Sequence, residues 1–219
     1  YRVTQQLTDP ITLNSEMAYP LRQKLMLLGN GLITEMHRPH DLSFHYKALG
    51  QEISTRLSIM PTISGYSIVI RLFRQNNDQF FTLDNLVMEK EQRVSIKKVI
   101  DYTNGLVLFS GPVNSGKTSL TYASLMHHTE KLQNVLSIEN PVEVRFNSLN
   151  QVEPNDTIQG LDHQSLIRTA VRQNPDVISF GEIRDPELAA LTINTAAVGV
   201  KVYATIHANN TRQTIARLL

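Results

Sequence analysis

Four short apolar runs recur between residues 106 and 206, and helical segments separate them. Strands that are apolar throughout are buried on both faces, and a helical crossover lets successive strands run parallel. The sequence therefore predicts an α/β domain with a parallel sheet and helices on both faces. The runs are Leu106–Phe109, Val135–Ile138, Val177–Phe180 and Val202–Ile206.

The beginning of the chain has a different pattern, in which one helix is followed by two strands. Leu21–Leu28 has helical spacing, and an Asn-Gly stop follows it. Apolar and polar residues alternate over Glu52–Ile59, which predicts a half-buried strand. Pro61–Gly65 has the composition of a turn, and Ser67–Phe73 is the expected returning strand of a hairpin. These elements predict a small α+β domain.

A polar run rich in helix breakers, Gln75–Asp78, separates the two patterns. We therefore assign residues 1–74 to an N-terminal domain, 75–90 to a linker and 91–219 to a C-terminal domain. A connecting helix is expected over Glu91–Tyr102, before a stop at Asn104-Gly105.

The most specific motif follows the first apolar run and fits the spacing G-x-x-x-x-G-K-[ST]. Its glycines let successive backbone N–H groups face phosphate oxygens, and the helix that begins near Gly116 adds its positive end. Lys117 would reach the β- and γ-phosphates, and the Thr118 hydroxyl would bind Mg²⁺. The predicted nucleotide-binding loop consists of Gly111, Pro112, Val113, Asn114, Ser115, Gly116, Lys117 and Thr118.

Two carboxylates and an imidazole follow the other three apolar runs: Glu139, Glu182 and His207. Because ligands bind beyond the carboxyl ends of parallel strands, we expect these side chains near the γ-phosphate. A carboxylate there can orient the attacking water or hold Mg²⁺ through water, and a histidine can sense the γ-phosphate. We favour Glu182 for the water, with Glu139 second. In the plainer alternative Glu139 and Glu143 are exposed loop acids, Glu182 pairs with Arg184, and the histidine is structural.

Composition excludes several classes of function. With 21 basic and 20 acidic residues the net charge is +1, which gives no electrostatic footprint for direct binding of nucleic acid. The chain has no cysteine, so disulfides, thiolate zinc sites and cysteine nucleophiles are excluded. No run approaches the ~18 apolar residues of a membrane span, and we expect no signal peptide.

Four motifs in this order resemble the secretion ATPases that power type II secretion, type IV pili and competence pili. They are the Walker A box Gly111–Thr118, the acidic box Ser137–Glu143, the Walker B box within Arg172–Asp185 and the His box within Gly199–Asn209. Arg38–Asp41 and Arg56–Thr62 look like the PAS-like domain of the same family. The resemblance is greatest to the competence pilus (DNA-uptake) ATPase of Gram-positive bacteria. It implies a RecA-like P-loop NTPase core preceded by a partial PAS-like domain.

The resemblance also implies a homo-hexamer that hydrolyses ATP, with Mg²⁺, to drive pilin assembly or retraction through an inner-membrane platform protein. Such a protein is cytoplasmic and peripheral at the cytoplasmic face of the cell membrane through that partner. Arginines matching Arg56, Arg71, Arg168 and Arg172 help complete the nucleotide site in the family, and Glu143 belongs to its acidic box. A rigid guanidinium suits the charge of a transferring phosphoryl group. For the two arginines of the hairpin, a position facing solvent is the plainer alternative.

Three departures from the family pattern bear on activity. Asn140 stands where the family usually has Asp, and Val200 replaces the first histidine of the His box. The chain also begins partway into the PAS-like domain and ends just after the His box, so we expect a fragment. The first two departures favour an alternative function, a nucleotide-binding hexameric scaffold with little hydrolysis. The near-neutral charge disfavours a nucleic-acid translocase built on the same core.

Two groups of neighbouring histidines need their own interpretation. His37, His40 and His45 invite a metal site, but they lie in a predicted loop-to-strand stretch beside Pro39 without a set of acidic partners, and we disfavour it. His127 and His128 end a helix, where their positive charge would be favourable.

Overall fold

The computed structural model describes residues 2–3, 6–7, 9–12, 14–35, 37–48, 50–74, 80–155 and 158–218. The chain divides into two compact units, Tyr1–Arg74 and Gln75–Leu219. The predicted breaker-rich run Gln75–Asp78 lies outside the described residues. Every helix in the described part of the chain is too short or too polar to span a bilayer.

The N-terminal unit combines a helix with a three-stranded antiparallel sheet. Its elements are β1 (Arg2–Val3), β2 (Gln6–Leu7), α1 (Ser15–Leu28), a 3₁₀ turn (Ile33–Glu35), β3 (His40–Ala48), β4 (Gln51–Thr62) and β5 (Gly65–Arg74). β1 pairs with β2, and the larger sheet has the order β3-β4-β5. Its core contains Leu25 and Met26 of α1 and Leu57 and Ile59 of β4. The predicted hairpin is confirmed by the antiparallel pairing of β4 with β5.

Two predicted boundaries in this unit are wrong. Helix α1 begins at Ser15 rather than Leu21, because the side chain of Asn14 accepts a hydrogen bond from the backbone N–H of Met17 at 3.0 Å. Pro61 belongs to β4 and not to the turn. The pairing of β3 with β4 ends at Ile59, so Pro61 has a neighbouring strand on one side only, where a missing N–H is tolerated.

The C-terminal unit is built on a five-stranded sheet in which every pair is parallel, with the order β6-β10-β9-β7-β8. The strands are β6 (Gly105–Ser110), β7 (Val135–Ile138), β8 (Asn150–Val152), β9 (Val177–Phe180) and β10 (Lys201–Ile206). The helices are α2 (Lys90–Ile100), α3 (Lys117–Glu130), α4 (His163–Val171), α5 (Pro186–Ala197) and α6 (Thr211–Leu218). The predicted parallel sheet is confirmed, and β8 is an additional strand.

Alternate residues of the strands contribute to two cores. Phe180 of β9 packs in one core with Leu188 of α5. Val177 of β9 and Tyr203 of β10 pack in the other with Leu125 of α3. The sheet is therefore covered by helices on both faces, as the apolar runs predict.

Two expectations about helix ends need correction. Helix α2 runs from Lys90 to Ile100 and ends before Tyr102. His128 is no exposed cation at a helix end, because it is 4% exposed and burial lowers its pKa. Helix α5 begins at an N-cap, since the side chain of Asp185 accepts from the backbone N–H of Leu188 at 2.8 Å.

Candidate nucleotide-binding site

The phosphate loop connects the end of β6 to the start of α3. Gly116 immediately precedes the helix with a φ of +88°, a left-handed conformation that glycine adopts without strain. Residues 112–116 and Thr118 are exposed. The first N–H groups of α3 have no partner within the helix and carry its positive end, so this exposed turn suits a phosphate group.

The half-buried ammonium of Lys117 lies over this loop. It donates to the backbone carbonyls of Gly111 at 2.9 Å and Pro112 at 2.7 Å. Its Nζ also lies 3.4 Å from Nδ1 of His207. Burial lowers the pKa of Lys117, and the negative charge of Glu182 opposes that effect.

Strand register explains why His207 reaches the loop. β10 lies between β6 and β9, and Ile206 pairs with Ser110, so the residues that follow these two strands meet at one edge. His207 Nε2 lies 2.7 Å from Oε1 of Glu182. An ammonium only donates hydrogen bonds, so Nδ1 of the imidazole accepts and Nε2–H donates to the carboxylate. Lys117, His207 and Glu182 thus form a continuous chain of contacts, which we call the lysine–histidine–glutamate chain.

The plainer interpretation of Glu182 is also correct in part. Arg184 donates from Nε to Oε2 of Glu182 at 2.9 Å, so both carboxylate oxygens have a donor. Arg184 also donates to the backbone carbonyl of Asn140 at 3.3 Å. Arg217 of α6 donates to the backbone carbonyl of His207 at 2.5 Å. Sequence reasoning did not identify Arg217 as a contributor to this edge.

Glu139 is not the exposed loop acid of the plainer interpretation, because only 7% of it is exposed. Its carboxylate accepts hydrogen bonds from the Tyr122 hydroxyl, from Ser137 Oγ at 2.6 Å and from Gln151 Nε2 at 3.1 Å. Burial raises the pKa of Glu139, and these three donors oppose the rise. The three donors come from α3, β7 and β8, and no local sequence pattern identifies them as a group.

The ends of β7 and β9 approach each other closely beside this carboxylate. The backbone N–H of Gly181 donates to the carbonyl of Ile138 at 2.8 Å. A Cβ at residue 181 would lie 3.3 Å from the Cα of Glu139, so a larger residue would require the neighbouring strand to shift by a few tenths of an ångström. Glu139 and Glu182 therefore follow adjacent strands at the same edge of the sheet, although their side chains have different partners.

The remaining predicted residues of this unit lie outside that chain of contacts. Glu143 is half-buried in the loop after β7, and its charge contributes to a raised pKa of Tyr122. Arg168 and Arg172 are exposed near the end of α4. Val200 is partly buried against the core on the α5 face.

The two hairpin arginines belong to the N-terminal unit and oppose each other, Arg56 on β4 and Arg71 on β5. Arg71 is exposed. Arg56 is half-buried and donates to both carboxylate oxygens of Asp41, at 3.1 and 2.6 Å. These hydrogen bonds hold the pKa of Asp41 below its usual value, against the effect of burial.

The whole sequence matches one known protein family. The model of the type II/IV secretion system protein family matches residues 1–219. The chain belongs to this family. The resemblance to secretion and pilus ATPases is therefore confirmed at the level of the family.

Named members of the family include proteins of secretion and of pilus assembly. The chain is 36% identical over 198 residues to a protein transport protein HofB homolog of Escherichia coli, covering 90% of this chain and 42% of that one. It is 31% identical to the type II secretion system protein E of Xanthomonas campestris, over 100% of this chain and 38% of that one. It is 34% identical to the type IV pilus assembly ATPase PilB of Myxococcus xanthus, over 91% and 35%. The chain thus spans 35% to 42% of the length of these relatives.

Solved structures of more distant proteins share the fold. The ATPase DotB of Legionella pneumophila superposes with a TM-score of 0.71 at 20% identity, covering 91% of this chain and 56% of that one. The pilus retraction motor PilT with bound ADP superposes with a TM-score of 0.67 at 24% identity, over 90% and 53%. These likenesses support the α/β fold with its parallel sheet.

Proposed function

We propose that this family member binds ATP with Mg²⁺ at its phosphate loop and hydrolyses it, as a motor subunit of a type II secretion or type IV pilus machine. The observation that carries the proposal is the lysine–histidine–glutamate chain beside the loop. It joins the phosphate-binding lysine to the ends of two further strands. A nucleotide that engages Lys117 would therefore be sensed by His207 and Glu182.

The residues of the loop have separate tasks in this proposal. The N–H groups at the start of α3 hold the phosphate oxygens, and Lys117 exchanges its two carbonyl partners for the β- and γ-phosphates. Bound Mg²⁺ neutralises charge on the phosphate oxygens, and Thr118 is the residue that would hold it.

The two strand-end carboxylates divide the remaining work. Glu182 has a donor on each oxygen and fixes the imidazole of His207 beside Lys117. Glu139 has the raised pKa of a buried acid, which suits the group that orients water and accepts its proton. We therefore give Glu139 the role for which the sequence alone favoured Glu182.

The proposal extends to the assembly implied by the family. The protein acts as a homo-hexamer on an inner-membrane platform protein, peripheral at the cytoplasmic face of the membrane, with a PAS-like N-terminal unit and no direct contact with nucleic acid. Arg168 of α4 and Arg172, which directly follows that helix, are exposed. Together with Arg56 and Arg71 they complete the site when subunits assemble. Charge neutralisation by an arriving guanidinium would make turnover dependent on assembly. The machine that we propose for this subunit is a competence pilus.

One observation favours the alternative of a nucleotide-binding scaffold with little hydrolysis. Arg184 occupies one oxygen of Glu182 and also bonds the backbone of Asn140, the position where the family usually has Asp. Arg184 therefore links the acidic box to Glu182, and position 140 contributes no carboxylate of its own. A scaffold would bind ATP tightly and release phosphate at the background rate.

Phosphate release by the purified protein, measured with and without Mg²⁺, separates the two functions. The test variant is Lys117→Ala, and the matched control is Lys98→Ala, which removes an exposed lysine of α2. We expect Lys117→Ala to lower turnover by about 100-fold and the control to leave it unchanged. Binding of a fluorescent ATP analogue is followed in parallel. ATP binding with turnover no higher than that of Lys117→Ala would replace the motor by the scaffold, and no ATP binding would refute both.

A further inference from the structure

The buried carboxylate of Glu139 has two hydroxyl donors that the proposed function does not yet use. Ser137 Oγ donates to Oε1 at 2.6 Å, and the Tyr122 hydroxyl donates to Oε2. The third donor to the carboxylate is Gln151, whose Nε2 also bonds Oε1. The same Nε2 donates to the backbone carbonyl of Val144 at 2.8 Å. The carboxylate is therefore held from both oxygens, by donors on three elements.

Packing aims the Tyr122 hydroxyl at this carboxylate. The tyrosine ring makes edge contacts with Phe81 and Phe146, with centroid separations of 5.4 and 4.9 Å. The residue is 2% exposed. Tyr122 lies four residues after Thr118 on α3, so the two share one face of the helix. The helix that presents the phosphate loop therefore also holds Glu139.

The two hydroxyls counteract the effect of burial. Burial favours the protonated form of Glu139 and raises its pKa, and the charge of Glu153 acts in the same direction. Donated hydrogen bonds stabilise the ionised form. Burial, with the charges of Glu139 and Glu143, raises the pKa of Tyr122 well above its usual value, so the phenol remains an O–H donor.

We propose that Tyr122 and Ser137 are positioning residues, whose hydroxyls keep the Glu139 carboxylate ionised and aimed for orienting the attacking water. This inference rests on the proposed function. It adds two uncharged residues, Tyr122 of α3 and Ser137 of the acidic box, to those already assigned to the site. Without the two hydroxyls, the carboxyl group of Glu139 would stay protonated, and therefore neutral, up to a higher pH. A neutral carboxyl group would orient water poorly.

The test is the pH profile of kcat for Tyr122→Phe, which keeps the ring and its edge contacts. We expect kcat at neutral pH to fall about tenfold, because water orientation is degraded. The midpoint of the acid limb should rise by about one pH unit, because a donor to the charged form is lost. KM for ATP should stay within about twofold, since the loop is untouched. Ser137→Ala should move the acid limb in the same direction.

Tyr203→Phe is the matched control, because it removes the hydroxyl of another buried tyrosine, one that bonds His128. It should leave the acid limb in place even where it lowers stability. Glu139→Gln should abolish the acid limb of the pH profile in whatever turnover remains. The double variant with Tyr122→Phe should have the same kcat as Glu139→Gln alone.

The outcomes separate the two proposals. Turnover that does not depend on Lys117 refutes the proposed function. Lys117-dependent turnover with an unmoved acid limb in Tyr122→Phe refutes the positioning role alone. If Tyr122→Phe does not fold, Ser137→Ala decides, and an unmoved limb in that variant overturns the inference.

Discussion

The buried imidazole of His128 makes the stability of the protein depend on pH in a predictable direction. Its Nδ1 lies 2.6 Å from Oε1 of Gln133 and its Nε2 lies 2.8 Å from the hydroxyl of Tyr203. The amide oxygen only accepts, so Nδ1 carries the proton of a neutral imidazole. Burial lowers the pKa of His128, and the positive charges of His127, Lys201 and Lys131 act in the same direction.

The sign of the effect follows from this lowered pKa. Below the unfolded-state value of 6.5 the unfolded chain binds a proton that the folded protein resists. Stability is therefore complete above that value and is lost as the pH falls through it toward the folded-state pKa. Between pH 7.5 and 5.5 the loss attributable to His128 is at most about 1.4 kcal/mol, the value reached when the folded imidazole stays neutral throughout.

Urea unfolding of the wild type and of His128→Gln at pH 7.5 and 5.5 measures this loss. Other groups also titrate, so the relevant quantity is the difference between the two pH dependences. We expect the wild type to lose more stability than His128→Gln, by up to about 1.4 kcal/mol. His163→Gln, which removes a histidine of α4 whose charge does not act on His128, is the control and should keep the wild-type loss. Equal losses in wild type and His128→Gln would refute the reasoning.

Two further predictions concern the edge of the sheet and a helix start. Asp185→Ala removes the N-cap of α5 and should lower the free energy of unfolding by about 1 kcal/mol, measured by urea titration; a change under about 0.3 kcal/mol would contradict the assigned cap. Gly181→Ala introduces a methyl group 3.3 Å from the Cα of Glu139. It should cost about 1 to 2 kcal/mol by overpacking and lower turnover about tenfold or more by displacing the carboxylate. Unaltered stability and turnover together would show that the neighbouring strand yields freely.

Sequence patterns predict those parts of the fold that rest on local signals. The apolar runs and the turn that follows the first of them each concern consecutive residues, and the structure shows them as strands and as the connection from β6 to α3. Strand β8 carries only Asn150–Val152, which is too short and polar to produce an apolar run. Pro61 suggests a turn, yet the strand accepts it because β3 has already ended. Helix α1 begins before the predicted Leu21 and contains Pro20, because its start is fixed by the cap at Asn14.

The candidate site divides in the same way. Glu182 and His207 are found because each follows an apolar strand, and parallel strands end at one edge. The donors to Glu139 are not found, because they are brought together by packing between a helix and two strands. Tyr122 in particular has the pattern of an ordinary core aromatic, and only its hydroxyl contact distinguishes it.

The strand order also has a consequence for how the molecule is made. Within the described sheet, β6 has β10 as its single neighbour, although β10 is the last of the five strands in sequence order. Strand β6, which carries the phosphate loop, therefore cannot pair with β10 until residues 201–206 have been synthesised. Pairings between strands so distant in sequence form slowly. Until then the loop lacks His207. Nucleotide binding should accordingly appear late in folding, only after β10 has paired with β6.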